Sequence, residues 1–544
     1  MPEMYVSNEK INRSSPDFKN VLSFFEEISK IPRCSKNEKR IASYLENFGK
    51  EKGFETKRDR HNNILIRVPA TVGYENAPVV VLQSHMDMVC EKETGSLHDF
   101  SNDGIRLSYV TENGIPYVTA NGTTLGADNG IGIAYSLAMA ASPEIPHPPL
   151  ELLITADEEV GLTGAQNMEN DFISADLLFN LDSEEEGVII VGCAGGTQIG
   201  FKKQIEIENA YADDGESVCN VPAAYTLTAA GLLGGHSGTD IHIGRGNANH
   251  ILINFLKSVH EKYPQNCFKI VKMEGGGAHN AIPRYAKCLF MTTIPFEVLT
   301  AESEKYAANI RLRPDFNDPG LMVTVAEADL KKPEAINLQS FSSKNTEQLI
   351  QFMSSVQTGV FEMSAQIPDL VWVSGNLAVI RTLPPSEYAG KEDKNSVGSE
   401  SSKQNIGTEK SKRELEIIYS LRSGSESELK NKVKEMMDLA GRFSFNFEIS
   451  NSYLPWEPDF NSELLERCRN IYRKTFEAEA KVTAIHAGLE CGVFHQKYPS
   501  MQMVSIGPDI IGAHTPSEKM SLVAAENVWS YLKEILKSFG AETN

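Results

Sequence analysis

Apolar residues recur at helical spacing near the start of the chain, at Val21, Leu22, Phe25 and Ile28 and again at Ile41, Tyr44, Leu45 and Phe48. That period predicts two amphipathic helices. Ser35 and Glu38, three apart ahead of the second, read as a capping box. The pattern then changes to short apolar runs bounded by turn residues, at Ile64 to Val68, Val79 to Leu82, Leu152 to Thr155 and Leu177 to Leu181, with a helical stretch from Asn129 to Ala141. Runs that are apolar on both faces suit strands buried in a mixed, largely parallel sheet sandwiched by helices, an α/β class.

From about Cys193 the texture shifts to alternating strands, such as Gln198 to Ile207 and Cys288 to Pro295, with an amphipathic helix from Ala248 to Tyr263. The first texture returns near the end, with a helix from Ser462 to Phe476, a strand from Met503 to Ile506 and a helix from Ala524 to Phe539. This predicts one α/β domain, residues 1–195 and 452–544, interrupted by an inserted α+β domain over 196–451 that is long enough for two small lobes. Within the insertion, 390–413 is low in apolar residues and reads as a disordered loop between strands at Leu377 to Ile380 and Leu415 to Leu421.

Composition narrows the function classes. The 544 residues carry 52 basic and 73 acidic side chains, a net charge of −21 that repels phosphate backbones and anionic lipid surfaces, so neither a nucleic acid nor a membrane is expected as a partner. Eight cysteines, at 34, 90, 193, 219, 267, 288, 468 and 491, show no CxxC and no regular spacing. They indicate neither a disulfide framework nor a cysteine zinc site and read as buried thiols in a reducing compartment. With no apolar core in MPEMYVSNEKINRSS and no membrane-length apolar run, a cytoplasmic location is expected.

In open α/β sheets, chemistry collects past the carboxyl ends of the strands. QSHMDM follows one apolar run with His85 and Asp87, ADEEVG follows another with Asp157, Glu158 and Glu159, and Asp182 follows a third. His514 lies in GPDIIGAHTPSE after the late strand, and LGADNGIG places Asp128 at a helix start. Singly, Asp128 reads as an N-cap, His85 as a core histidine, and Glu158 with Glu159 as an exposed loop pair. Together they are hard nitrogen and oxygen donors suited to Zn²⁺ or Mn²⁺, and one carboxylate can bridge two ions in hydrolytic sites. In the tandem Glu158-Glu159, one carboxylate can coordinate while its neighbour takes a proton from water. Asp87 is placed to orient His85 through its other ring nitrogen.

HMD, GADNG, ADEEVG, NLD and GAHTPSE resemble the motifs of the co-catalytic zinc metallopeptidases that include carnosinases, aminoacylases and desuccinylases. GGHSGTDIHIGRGNA, GGGAHNAIPR and IHAGLECG are similar to the aminoacyl-histidine dipeptidase branch, the cytosolic non-specific dipeptidases, over residues 18 to 540. The resemblance implies two divalent ions, Zn²⁺ foremost with Mn²⁺ or Co²⁺ as alternatives, one on His85, Asp128 and Asp182 and the other on Asp128, Glu159 and His514. It makes Glu158 the general base, Asp87 the orienting acid and the inserted domain a lid whose His236 stabilises an oxyanion. Asn280, Arg284, Arg422 and His486 are its implied substrate-binding residues. The implied reaction is hydrolysis of Xaa-His and other unhindered dipeptides; an N-acyl-amino-acid deacylase on the same scaffold and a non-catalytic binding relative are the alternatives. The family leaves open a homodimer; a doubled lobe folding back over its own chain predicts that His236 acts in cis.

Overall fold

The computed structural model describes residues 15–209, 223–328, 338–383 and 412–540. The chain divides into two compact units, Met1–Cys193 with Trp456–Asn544, and Ala194–Pro455. The division has a local cause: Cys193 and Trp456 exchange backbone hydrogen bonds of 2.9 and 3.1 Å within the first unit, whereas Gly195 already pairs with Ser423 in the second.

In the first unit, helix α1 (Pro16–Ser29) buries Phe18, Val21, Leu22, Phe25 and Ile28, and α2 (Lys39–Glu51) buries Ile41, Ala42, Leu45 and Phe48. The capping box expected between them does not form. Ser35 Oγ donates to Asp87 Oδ2 at 2.8 Å, and Glu38 accepts the Lys36 N–H at 2.6 Å while itself standing at the cap position. A hydroxyl held by a buried carboxylate makes a stronger, charge-assisted bond than it would at a helix end.

Eight strands form the main sheet: β1 (Glu55–Arg58), β2 (Ile64–Val68), β3 (Val80–His85), β4 (Leu150–Thr155), β5 (Leu177–Asn180), β6 (Val188–Cys193), β7 (Lys481–Ile485) and β8 (Gln502–Ser505). Their order is β1-β2-β4-β3-β5-β8-β6-β7. The pairs β3/β4, β3/β5, β5/β8 and β6/β7 are parallel, and the other three are antiparallel. Side chains alternate between faces, so each strand feeds two layers. Val80, Leu82, Leu152, Ile154 and Phe179 join one core with residues of α1, α2 and of the further helices α3 (Ala127–Ala141), α4 (Glu463–Phe476) and α6 (Leu522–Lys537); α5 spans Glu490–Lys497. The opposite face holds Val81, Gln83, His85, Leu153, Thr155, Leu178 and Asn180, all buried. A four-stranded antiparallel sheet in the same unit places the Ile510–Ile511 and Lys519–Ser521 hairpin beside Ile115–Ala120 and Leu107–Glu112.

The second unit is built on one ten-stranded antiparallel sheet whose main core is shared along its length. The two small lobes expected from its length are therefore two halves of one sheet, joined where Phe268–Gly275 pairs with Val371–Thr382 through Glu274 and Arg381. Of the loop expected at 390–413, residues 390–411 lie outside the described residues, and Lys412 and Arg413 begin the strand Lys412–Ser423. Among the described residues no helix is long and apolar enough to cross a membrane.

Candidate metal centre

Strand β3 ends at His85, and the chain turns through Met86 and Asp87. Arg33, buried between α1 and α2, fixes this turn by donating to the carbonyls of Met86 (3.2 Å), Asp87 (3.1 Å) and Gly126 (2.5 Å). Gly126 needs to be glycine: its φ is +71°, and a Cβ there would stand 2.6 Å from the Arg33 guanidinium and 2.7 Å from the Met88 sulfur. Two residues on, Asp128 starts α3, and the Asp128-Asn129 peptide is cis. Glu518 clamps the same turn, accepting the N–H groups of Leu125 (2.7 Å), Gly126 (3.0 Å) and Ala127 (2.8 Å). It lies in the hairpin loop that presents His514, whose own φ of +64° is in the left-handed region.

These turns bring six side chains together. His85 Nε2 lies 2.9 Å from Asp128 Oδ1, 3.3 Å from Asp182 Oδ1 and 4.0 Å from Glu158 Oε2. His514 Nε2 lies 3.0 Å from Asp128 Oδ2 and 3.1 Å from Glu159 Oε2. Asp128 thus turns one oxygen to each histidine. Three groupings here could hold an ion, His85 with Asp128 and Asp182, Asp128 with Glu159 and His514, and His85 with Glu158 and Glu159, the donor atoms of each lying within 4.8 Å of one another. The donor set suits divalent cations chemically, and Glu159 Oε1 is buried without a hydrogen-bond partner, the acceptor a cation would satisfy.

Asp87 organises the site from behind. Its Oδ1 accepts the Glu158 N–H at 3.0 Å and stands 3.5 Å from His85 Nδ1, and its Oδ2 accepts the Glu159 N–H at 3.2 Å. Burial would raise this carboxyl, but the bonds from His85, Glu158 and Ser35 hold it below its ordinary range. Burial pushes Glu158 well above the usual carboxyl range, against the attraction of His85 and with the repulsion of Glu159, Asp182 and Glu490. Burial lowers the His85 imidazole, yet the Asp182, Asp128 and Asp87 carboxylates reverse this and hold it well above its usual value. Partial burial acts the same way on His514, and Asp128 with Glu159 overcomes it, pushing the imidazole up to about 12. In this field a cation competes with protons for the same imidazole nitrogens.

His486, buried just past β7, belongs to none of the ligand groupings. In the second unit, His236 sits in a short bridge with Ala281, and Arg422 Nη2 approaches its Nε2 at 3.5 Å. Arg422 also donates to the Tyr453 hydroxyl at 2.9 Å, and the Asn280 carbonyl accepts the Ser237 N–H at 2.7 Å. Arg284 and the Asn280 side chain are exposed.

Arg33, Glu518 and Glu490 were not singled out by sequence reasoning, and Ser35 was read only as a helix cap. For Glu518 the spacing HTPSE held a signal, and for Glu490 its place in HAGLECG did; Arg33 and Ser35 had none. The cysteine reading needs correction. Cys34 and Cys90 form a disulfide with Cα atoms 5.7 Å apart, because the segments after α1 and β3 run side by side through the Cys34 and Met88 bridge. Cys193, Cys267, Cys288, Cys468 and Cys491 form no disulfide, and Cys219 lies outside the described residues.

The cytosol non-specific dipeptidase of Escherichia coli is 35% identical over 520 residues, covering 95% of this chain and 97% of that protein. The structure of an aminoacylhistidine dipeptidase from Vibrio alginolyticus matches with a TM-score of 0.73 at 33% identity, over 97% of this chain and 98% of that one. A tripeptidase from Staphylococcus aureus shares the fold, with a TM-score of 0.55 at 15% identity over 96% of this chain and 99% of that one. Residues 81–538 match peptidase family M20/M25/M40. The chain belongs to that family of peptide-bond hydrolases.

Proposed function

We propose that this chain is a metal-dependent dipeptidase acting on Xaa-His and other unhindered dipeptides. The observation that carries the reading is Asp128, with one carboxylate oxygen 2.9 Å from His85 and the other 3.0 Å from His514. In this reading His85, Asp128 and Asp182 would hold one ion and Asp128, Glu159 and His514 the other, with Zn²⁺ favoured by the mixed imidazole and carboxylate set. Such ions, when bound, supply Lewis-acid activation of water and of the scissile carbonyl.

The residues of the chain do the rest. Glu158, raised by burial and by its acidic neighbours, is the carboxylate that accepts a proton from water and returns it to the leaving amine nitrogen. Asp87 keeps Glu158 and Glu159 in place through their own N–H groups and orients the His85 ring. In the second unit, His236, Arg422, Asn280 and Arg284 supply cationic and donor groups of the kind that an oxyanion and a substrate carboxylate require. Similarity to dipeptidases over nearly the whole chain supports dipeptides over acylated amino acids.

The test is a substrate panel on chelator-stripped protein with Zn²⁺, Mn²⁺ or Co²⁺ restored. Cleavage of β-alanyl-histidine and other dipeptides, lost on stripping and regained with metal, is the expected result. Faster turnover of N-acetylated amino acids would replace the reading with a deacylase.

A further inference from the structure

The strand face that ends in His85 carries polar side chains one layer below the ligands. Gln83 stands two residues before His85, Asn180 two before Asp182, and Thr155 pairs in register with His85 and precedes Glu158 by one short turn. Asn180 Nδ2 donates to Gln83 Oε1 at 2.5 Å. Gln83 Nε2 donates to Glu490 Oε2 at 2.5 Å, and Thr155 Oγ1 donates to the same oxygen at 2.7 Å. Glu490 opens helix α5 and is 0% exposed.

We propose that Glu490 is a positioning residue of the metal centre, its carboxylate gripping Gln83 and Thr155 so that the ends of β3 and β4 project His85 and the Glu158-Glu159 pair at a fixed spacing. This rests on the dipeptidase reading, because the groups it positions are the ligands and base of that reading. The backbone ladders already register β3 with β4 and β5, so the sheet does not need this carboxylate to form. A ladder leaves side chains and strand ends free to shift. Burying a carboxylate is costly, and an aliphatic residue would fill the same space without that cost. What the carboxylate adds is a single acceptor that two neighbouring strands share, reached from a third direction by α5. A shift of the strand ends by a fraction of an ångström would misplace the donor atoms, and supporting residues of metal sites commonly change affinity or activity by about 10–100-fold.

The experiment compares Glu490→Leu with Glu490→Gln. A glutamine oxygen can accept both hydrogen bonds; leucine accepts neither. Each protein, stripped and refilled, is titrated with Co²⁺ by visible absorption and assayed for kcat and KM on a dipeptide. The expected result for Glu490→Leu is a Co²⁺ affinity lower by about 10-fold or more and a kcat lower by about 10–100-fold, with KM within about threefold of the parent. Glu490→Gln should rescue both to within about threefold. A folded Glu490→Leu protein with the parent's cobalt isotherm and kcat would overturn the proposal, as would a Glu490→Gln protein as impaired as the leucine variant, which would make charge and not placement the cause. If Glu490→Leu does not fold, Gln83→Leu cuts the same link from the strand side and is held to the same numbers. A parent protein that binds cobalt but cleaves no dipeptide would refute the dipeptidase reading, and the cobalt isotherms alone would then decide on Glu490.

Discussion

Replacing Asp87 with Asn keeps the shape of the side chain and removes half of its acceptors. The carboxylate takes the Glu158 N–H on one oxygen and the Glu159 N–H and the Ser35 hydroxyl on the other, in a position with no solvent exposure. An asparagine has one oxygen, so in either orientation one of the two backbone N–H groups faces an amide NH₂. Ser35 can rotate to accept instead, but a backbone donor cannot. One buried unpaired N–H costs about 1–3 kcal/mol, which corresponds to a melting temperature lower by roughly 2–10 °C in a domain of this size. Because the displaced groups are the backbone of Glu158 and Glu159, the damage also reaches the site, with metal affinity or kcat lower by about 10–100-fold. The assay pairs a thermal melt with a cobalt titration and steady-state kinetics. Ser35→Ala serves as the control, since it removes a charge-assisted donor worth about 1.5–3 kcal/mol yet leaves both N–H groups paired, so stability should fall while cobalt binding and turnover stay near the parent's. An Asp87→Asn protein that melts early yet binds cobalt and turns over like the parent would show that Asp87 supports the fold and does not place Glu158 and Glu159.

Glu158→Gln removes the proton acceptor while keeping its size, so metal content measured by elemental analysis should persist while kcat falls by about 10²-fold or more; near-normal turnover would remove Glu158 from the role. His514→Ala should lose about one equivalent of metal and His486→Ala none, and the reverse result would exchange their assignments. Asp17 carries a pH prediction: burial raises its carboxyl, but Lys533, Ser15 and Trp529 outweigh that and bring it down to about 2. The folded value lies below the unfolded one, so the unfolded chain binds more protons between about pH 4 and pH 2, and the contribution of Asp17, complete above that window, is lost as pH falls through it. Urea titrations from pH 5 to pH 2.5 should show a shallower loss of stability for Asp17→Asn than for the parent, and identical slopes would refute the pairing.

What could be read from the sequence divides along physical lines. Largely buried strands announce themselves as apolar runs, which is why Ile64 to Val68, Val79 to Leu82 and Leu177 to Leu181 correspond to β2, β3 and β5. β1, with the sequence ETKR at a sheet edge, has no apolar face to show, and the partly exposed strands at Leu107–Glu112 and Ile115–Ala120 are equally silent. Strand exits pointed to His85, Asp182 and the Glu158-Glu159 pair because chain direction in an α/β sheet brings such exits together, and Asp128 was legible at a helix start. The groups that hold those residues were not legible, since their partners are distant in sequence and their residue types are common. Ser35 could be a helix cap or a donor to Asp87, and only the position of Asp87 decides. The Cys34 and Cys90 pairing was hidden for the same reason, with the partners 56 positions apart and no motif around them.

The bridge between Cys193 and Trp456 has a consequence for how the protein is made. At the ribosome, β6 emerges with neither of its neighbours, because β7 and β8 follow only after the whole of Ala194–Pro455 has been synthesised. That intervening stretch has its own core and can fold during the wait, at the usual pace of about 5–20 residues per second. The first unit meanwhile waits with an unpaired apolar strand, Val188–Cys193, a natural target for a holding chaperone. Of the residues around the metal centre, His514 and Glu518 are translated last. A metal centre that uses His514 would therefore be complete only after the sheet has closed.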